Sequence, residues 1–322
     1  MMGDFVLADT AFNDFSICDD FDLDLAYGKD ENDFTLTVPL GRKIPYGTYA
    51  FYDESDWGGT IDSRERVGSK TKQIRYGGRT WQGILDKTFL CPDSGKDYLS
   101  YSGDLNDIIA FVIARQGKGA VFVASSEKSG VVVSGNFDRH VSAFAGLSKL
   151  CRAHGRKLSF RKISGGKVEV SAQEAVTHEL DSDHYEFDIK ESGRFVNHLI
   201  CLGSGDLKDR IVVHLYADAN RKISQTQTFF GIDEIAEVYD YNNADGPELI
   251  AKGTEKLQEY LDSDTCELTV SEAMGYDIGD SVHAVNVDEG IEITATIEKV
   301  IVTADEEGEG VSYEIGNIRM GG

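Results

Sequence analysis

The stretch YDIGDSVHAVNVDEGIEITATIEKVIV, residues 276–302, decides how the rest of the chain is read. Apolar and polar residues alternate on both sides of Asp288, Glu289 and Gly290, which have the composition of a turn. A strand-like run at residues 266–270 precedes them. Alternation with a period of two is the mark of half-buried strands. The chain therefore ends in a regular β-meander on which no catalytic-looking residue stands.

A length of 322 residues predicts two or three domains at about 150 residues each. Apolar residues make up 41% of the chain against 27% charged, enough to bury real cores. No run of 18 apolar residues occurs, and the start MMGDFVLADT has an acid where a secretory leader needs a basic segment. The expectation is a chain kept in the cytosol unless something larger carries it out. Five widely spaced cysteines (Cys18, Cys91, Cys151, Cys201 and Cys266) without a CxxC pair read as reduced core thiols, not disulfides or a zinc site.

The net charge of −24 opposes a nucleic-acid surface, which needs clustered Lys and Arg. The charge is uneven. Residues 1–33 hold ten acids and one base, and residues 168–322 hold 34 acids and 10 bases, whereas residues 115–167 hold eleven bases and two acids. Such a basic block marks a distinct domain or an internal electrostatic partner.

Along the chain, residues 34–38 (FTLTV) and 46–52 alternate, and residues 60–67 and 70–76 can pair across Gly68 and Ser69. Gly77 and Gly78 are expected to stop that strand, and RTWQGILDKTFL to form a short helix. In DLNDIIAFVIARQ, Leu105, Ile108, Ile109, Val112 and Ile113 share one helical face, with Asp104 as cap and Asp107 in the first turn. A second helix is expected over about 139–154, ending at Gly155, followed by strands KLSFRKI and KVEVSA around a Ser164–Gly166 turn. Strands HYEFDIKE, VNHLICLG, RIVVHLYA and GIDEIAEVYDY come next, and a helix over about 247–261 opens with Pro247.

The resulting fold class is α+β and β-rich, with two barrel-like β domains and an inserted small α/β domain. The expected divisions are 1–98, a basic α/β unit at 99–178, and 179–322 with the one helix and the closing meander.

Candidate sites are few. None of the seven histidines lies in a metal spacing; Asp181, Asp183 and His184 read as a solvated turn. Cys151 and His154 sit three apart, but the periodicity turns Cys151 to the apolar face, where a thiol is inert. Gly203 and Gly205 in LGSGDLKDR lack the lysine of a phosphate loop and read as a plain turn between strands. Asp305, Glu306, Glu307 and Glu309 read as an exposed hairpin tip. No catalytic, cofactor or metal site is assigned. The most informative constellation is Lys149, Arg152, Arg156, Lys157, Arg161 and Lys162, read either as a solvated face or as a surface that docks on an acidic neighbour. Nucleic acid is the weakest reading, because the surrounding acids repel phosphate.

Four segments, in their order, carry a resemblance: DDFDLDLAYGKDENDFTLTVP, TIDSRERVGSKTKQIRYGGRTWQGILDKTFLCP, RFVNHLICLGSGDLKDR and YDIGDSVHAV. Together they resemble the tail hub proteins of tailed bacteriophages and prophages, which include the amino-terminal module of siphophage tail-associated lysins and the baseplate hub of contractile tails. The resemblance covers nearly the whole chain. It implies two similar barrel-like domains per copy and a homotrimeric ring of near-sixfold symmetry that joins a hexameric tail tube to a threefold tip. It further implies as partners the distal tube or ring protein, the tape-measure protein and tip or fibre proteins. It places the chain in the virion's distal tail, assembled in the host cytoplasm, without membrane insertion or specific nucleic-acid binding. Under it, Gly279 and Asp280 are turn residues, glycine supplying backbone freedom and aspartate a local hydrogen bond. An acidic channel would keep DNA from sticking.

Many such proteins continue into fibre-like or peptidoglycan-degrading regions, whereas this sequence stops at Gly322, so lytic and receptor-binding functions are expected on another protein or on a longer form of this chain. The alternatives are a peptidoglycan hydrolase, which lacks the expected Cys/His, HExxH or paired-acid arrangement, and a glycan-binding module for which Trp57 is the fair stacking candidate and Trp81 a core residue.

Overall fold

The computed structural model describes residues 4–66, 72–180, 185–190, 194–242, 244–261, 265–270, 275–286, 291–305 and 308–321. The Gly68–Ser69 turn, the Asp181–His184 turn, Asp288 to Gly290, and Glu306 and Glu307 lie outside them. The chain divides into two compact units, one of residues 1–187, 267–315 and 319–322, the other of residues 188–266 and 316–318.

The first unit is built on an antiparallel path of strands. Its order is Asp14–Cys18, Phe5–Ala8, Tyr49–Tyr52, Gly58–Glu65, Gln73–Thr80, Asn32–Pro39, Asp22–Gly28 and Ile291–Asp305. Alternation sets the burial: Phe34, Leu36 and Val38 point inward while Thr35 and Thr37 do not. The meander docks here. Ile291–Asp305 pairs with Asp22–Gly28 in the register Val300 to Tyr27, and Ser281–Asn286 pairs with Ile291–Asp305. The closing strands thus extend the amino-terminal sheet, where the sequence reading grouped them with residues 179–266. Among the described residues this path stays open at Asp14–Cys18 and does not close into a barrel.

Gly77 and Gly78 do not end their strand, which runs through them from Gln73 to Thr80. A β-carbon on Gly78 would come within 2.1 Å of the Thr60 carbonyl oxygen and 2.7 Å of the Phe34 ring, so only glycine lets three strands approach this closely. Opposite them the partner strand bulges: Ile61 faces Gly78 and Ser63 faces Gly77, with Asp62 left over. The bulge turns the Asp62 carboxylate toward Arg79, which donates to it from Nε at 2.6 Å and from Nη2 at 2.9 Å.

Three helices follow. The six-residue α1, Trp81–Asp86, is capped by the Thr80 hydroxyl, which accepts from Gly83 N–H. Helix α2, Leu105–Arg115, buries the expected face, and the Asp104 carboxylate accepts from the Asn106, Ser129 and Gly130 amides. Helix α3, Ala143–Arg152, begins later than the periodicity suggests. His140 adopts a positive φ of 56° and Ser142 caps the helix, so residues 139–142 are not helical. Strands Arg156–Lys162 and Val168–Glu174 form the expected hairpin, with Phe122–Ala124 parallel to the latter. One hydrophobic core joins Tyr49, Phe51 and Trp81 to Ile109, Leu147, Phe160 and Val170, and so runs across the boundary expected near residue 98. A buried aromatic such as Trp81 links the layers through its own area, lying edge-on to Tyr49 at 5.6 Å.

The second unit is a four-stranded sheet in the order Ile223–Ser224, Val212–Ala217, His198–Leu202, Ala236–Asp240, with α4, Gly246–Leu261, on one face. Leu199, Cys201, Leu215 and Ala217 pack against Leu249, Leu257 and Leu261. The Asp245 carboxylate caps α4 by accepting from Glu248 N–H at 3.0 Å. The expected apolar strand from Gly231 is a 3₁₀ turn at Gly231–Asp233 before the strand proper.

The protein is thus β-rich with four α-helices among the described residues and several sheets. No helix of the described residues is long and apolar enough to cross a membrane. Cys18, Cys151 and Cys201 are buried free thiols as expected, while Cys91 is exposed, its Sγ 3.4 Å from His140 Nδ1.

Candidate functional site

The basic block leads to the most concentrated electrostatics in the first unit. Strand Arg156–Lys162 has the burial order half-buried, buried, buried, half-buried, buried, exposed, buried, so Lys162 turns inward with Leu158 and Phe160 while Lys157 is buried on the opposite face of the strand. A buried ammonium must find carboxylates or shed its proton. Lys157 Nζ lies 2.8 Å from Asp280 Oδ2 and 3.7 Å from Asp277 Oδ2. Lys162 Nζ donates to Asp53 Oδ1 at 3.0 Å and to the Ile163 carbonyl at 2.8 Å, and stands 4.2 Å from the centre of the Phe51 ring.

Arg161 pairs with Glu54, which also accepts from the Ser164 amide. Two acidic turns, DESD at residues 53–56 and DIGD at 277–280, are therefore gathered by one basic strand of the same chain.

Asp280 is the centre of this seam. It is 1% exposed, and besides Lys157 it accepts from Val176 N–H at 2.9 Å and from Asp277 N–H at 3.2 Å, with His178 Nε2 at 3.1 Å. Burial by itself would raise its pKa. The Lys157 ammonium, the Val176 amide and His178 outweigh that and hold the carboxyl below the ordinary range. The local bond expected of a turn aspartate is present, and the buried ion pair is added to it.

Gly279 takes φ +92°, and a β-carbon there would sit 3.0 Å from Lys157 Cβ, so the turn presses its backbone onto the lysine stem. Two further acids are of the opposite kind. Asp56, which accepts from the Tyr27 hydroxyl, is pushed up to about 7 by burial and then by the charge of Asp277. Asp277 is pushed up to about 6, chiefly by burial. A seam of this kind clamps the Asp53–Asp56 turn, the Arg156–Lys162 strand and the closing turn together; its groups are engaged with each other.

The other block residues stand differently. Arg156 pairs with Glu174 at 2.8 Å and Lys149 with Asp138 at 2.7 Å. Arg152 makes no ion pair among the described residues and lines a cleft of about 540 Å³ with Lys29, Asp33, Arg79, Lys87 and Ile278. Cys151 is buried, its thiol pushed up to about 12 by loss of water contact. Gly203 and Gly205 lie between strands His198–Leu202 and Val212–Ala217, Gly205 at φ +101°. Trp57 is half-buried and meets Tyr52 edge-on, and Trp81 is fully buried. Among the described residues no cluster of three or more His, Cys, Asp or Glu side chains is arranged to hold a metal ion.

Sequence reasoning missed Asp53, Glu54, Asp56 and Asp277. The available signal was the strand reading of KLSFRKI: alternation puts Lys162 on the face of Leu158 and Phe160, and a buried lysine demands acids from elsewhere in the chain.

The 43 kDa tail protein of a Shewanella oneidensis prophage superposes with a TM-score of 0.57 at 13% identity over 97% of each chain. A tail protein from Neisseria meningitidis gives 0.53 at 14% identity, covering 97% of this chain and 96% of that one. A prophage tail protein from Listeria monocytogenes gives 0.52 at 11% identity, covering 98% and 94%. The chain has the fold of phage tail proteins. The likeness extends over both units, and the tail-protein fold therefore describes the whole molecule. No protein-family model and no curated protein sequence matches the chain.

Proposed function

We propose that the protein is a structural hub of the distal tail of a phage or prophage. The observation that carries this reading is the extent of the fold likeness: at least 97% of the chain and 94% or more of each of three tail proteins superpose, so the whole architecture is shared and not one module of it. In this reading each copy supplies two β-rich modules to the ring. Three copies close a ring of near-sixfold symmetry, join the hexameric tube to a threefold tip, and surround the channel for DNA and tape-measure protein. The role is structural and needs no cofactor. The chain works in the virion after assembly in the bacterial cytoplasm, with the distal tube protein, the tape-measure protein and tip or fibre proteins as neighbours.

The net charge of −24 supports the channel assignment, because an acidic wall repels phosphate and lets DNA pass. The exposed members of the basic block, led by Arg152, are the candidates for contact with an acidic neighbour. Light scattering on the purified chain tests the ring: a mass three times the 35.4 kDa of one chain is expected. A monomer at every concentration counts against self-assembly, and clearing of peptidoglycan in a zymogram counts against a purely structural role. Substituting Lys149, Arg152 and Arg156 by Glu without loss of assembly would refute the docking role of the block, and Lys157 is kept because it is buried against Asp280.

A further inference from the structure

Cys91 is the exposed member of the four described cysteines, and its Sγ lies 3.4 Å from Nδ1 of His140, a residue 49 positions away in the chain. A thiol and an imidazole nitrogen within hydrogen-bond reach are a nucleophile beside a base, the arrangement by which a thiol sheds its proton as it attacks. When the ring carries its proton on Nε2, Nδ1 accepts and the thiol donates.

The backbone builds this pair. Leu90 is fully buried and pairs with Val141, and its carbonyl accepts from the His140 amide at 3.1 Å. The Cys91 carbonyl accepts from Arg115 Nη2 at 3.1 Å, and the same guanidinium holds Asp93 at 2.7 Å. The peptide planes on both sides of the Cys91 α-carbon are therefore pinned. His140 takes φ +56°, a left-handed conformation that glycine or asparagine adopts with less strain, so the imidazole is what a histidine adds at this position. The neighbouring charges are engaged elsewhere: Arg115 with Asp93, and Asp138 with Lys149 at 2.7 Å. Among the described residues, Cys91 is the hydrogen-bonding partner of the His140 ring.

We propose that Cys91 and His140 form a thiol–imidazole site that is reversibly capped by a small disulfide of the glutathione class. Cys91 passes its proton to His140 Nδ1 as its sulfur attacks one sulfur of the disulfide. The S–S bond of the reagent breaks, and the departing thiolate takes a proton back from the imidazolium. Cys91 ends oxidised in a mixed disulfide, the other half of the reagent leaves reduced as a free thiol, and no further oxidant is consumed.

The test is incubation of the full chain with oxidised glutathione at neutral pH, with the mass gain of the Cys91 peptide followed over time by mass spectrometry. His140→Gly and His140→Asn are run beside it, since both residues suit the left-handed backbone and neither supplies a base. The expected result is capping of Cys91 that dithiothreitol reverses, slowed at least ~5-fold in each folded variant. Cys91 in the native chain should also react faster than in the same chain unfolded in urea, where His140 is no longer held beside it. Circular dichroism identifies a variant that fails to fold, and the comparison of native with unfolded parent needs no variant. No mass gain at Cys91, folded variants capped as fast as the parent, or a native rate no higher than the unfolded one overturns the site.

Discussion

Neutralising Asp280 alone should destabilise the first unit far more than its place in a turn implies. The Asp280→Asn substitution keeps an oxygen for the Val176 amide, removes the charge and puts an amide donor in place of Oδ2, the acceptor for Lys157 and the Asp277 N–H. Lys157, 9% exposed, then keeps Asp277, at 3.7 Å, as its ion-pair partner among the described residues. Removing one member of a buried pair costs about 3–5 kcal/mol, and the remaining Asp277 places this case at the lower end, about 3. Lys157→Met should cost a similar amount, because it leaves the Asp280 carboxylate buried beside Asp277.

The double variant leaves no orphan charge from this pair. It should cost less than the two singles together by about 2–3 kcal/mol, the upper range for contacting residues. Urea titration at neutral pH, followed by tryptophan fluorescence, gives the cycle; Trp57 and Trp81 both lie in the first unit. Single variants that each cost under about 1 kcal/mol, or a double whose cost is the plain sum, would refute the claim that the seam is a coupled clamp.

Three further outcomes follow from the same geometry. Asp56 and Asp277 have folded pKa values of about 7 and 6, above the roughly 3.9 of an unfolded aspartate, so the folded state binds more protons between them. Stability of the first unit should therefore fall as pH rises from about 4 to 7, and Asp56→Asn should flatten that slope in urea midpoints taken across the window; an unchanged slope contradicts the assignment. Gly279→Ala, at φ +92° and against Lys157 Cβ, should cost about 1–2 kcal/mol or more, whereas Gly95→Ala, strained at φ +76° but with open space around it, should cost less in thermal melts. Of the four described cysteines, Cys91 should react with a thiol reagent in the native state and Cys18, Cys151 and Cys201 only on unfolding, a contrast read directly from the labelling stoichiometry.

Much of this protein was legible from local pattern. Alternation in FTLTV and in residues 291–302 specified strands, and the i, i+3, i+4 spacing of Leu105, Ile108 and Ile109 specified α2 with its Asp104 cap. Both signals are written in neighbouring residues and depend on backbone geometry alone. The strand through Gly77 and Gly78 was misread because glycine has two uses, ending an element or permitting close approach, and only the neighbouring Thr60 carbonyl and Phe34 ring tell them apart. The order of the family-like segments pointed to the tail-protein fold before any pairing was visible.

Local pattern alone marks most strands and helices, shows which faces are apolar, and shows that a basic block sits in an acidic chain. That the closing meander joins the strand at Asp22–Gly28 and that Lys157 meets Asp280 across 123 positions is fixed by the folded core. Pairing at that separation is set by which edges and charges meet when the core closes, and a buried ammonium accepts any carboxylate that arrives with the right geometry. No local propensity specifies which one.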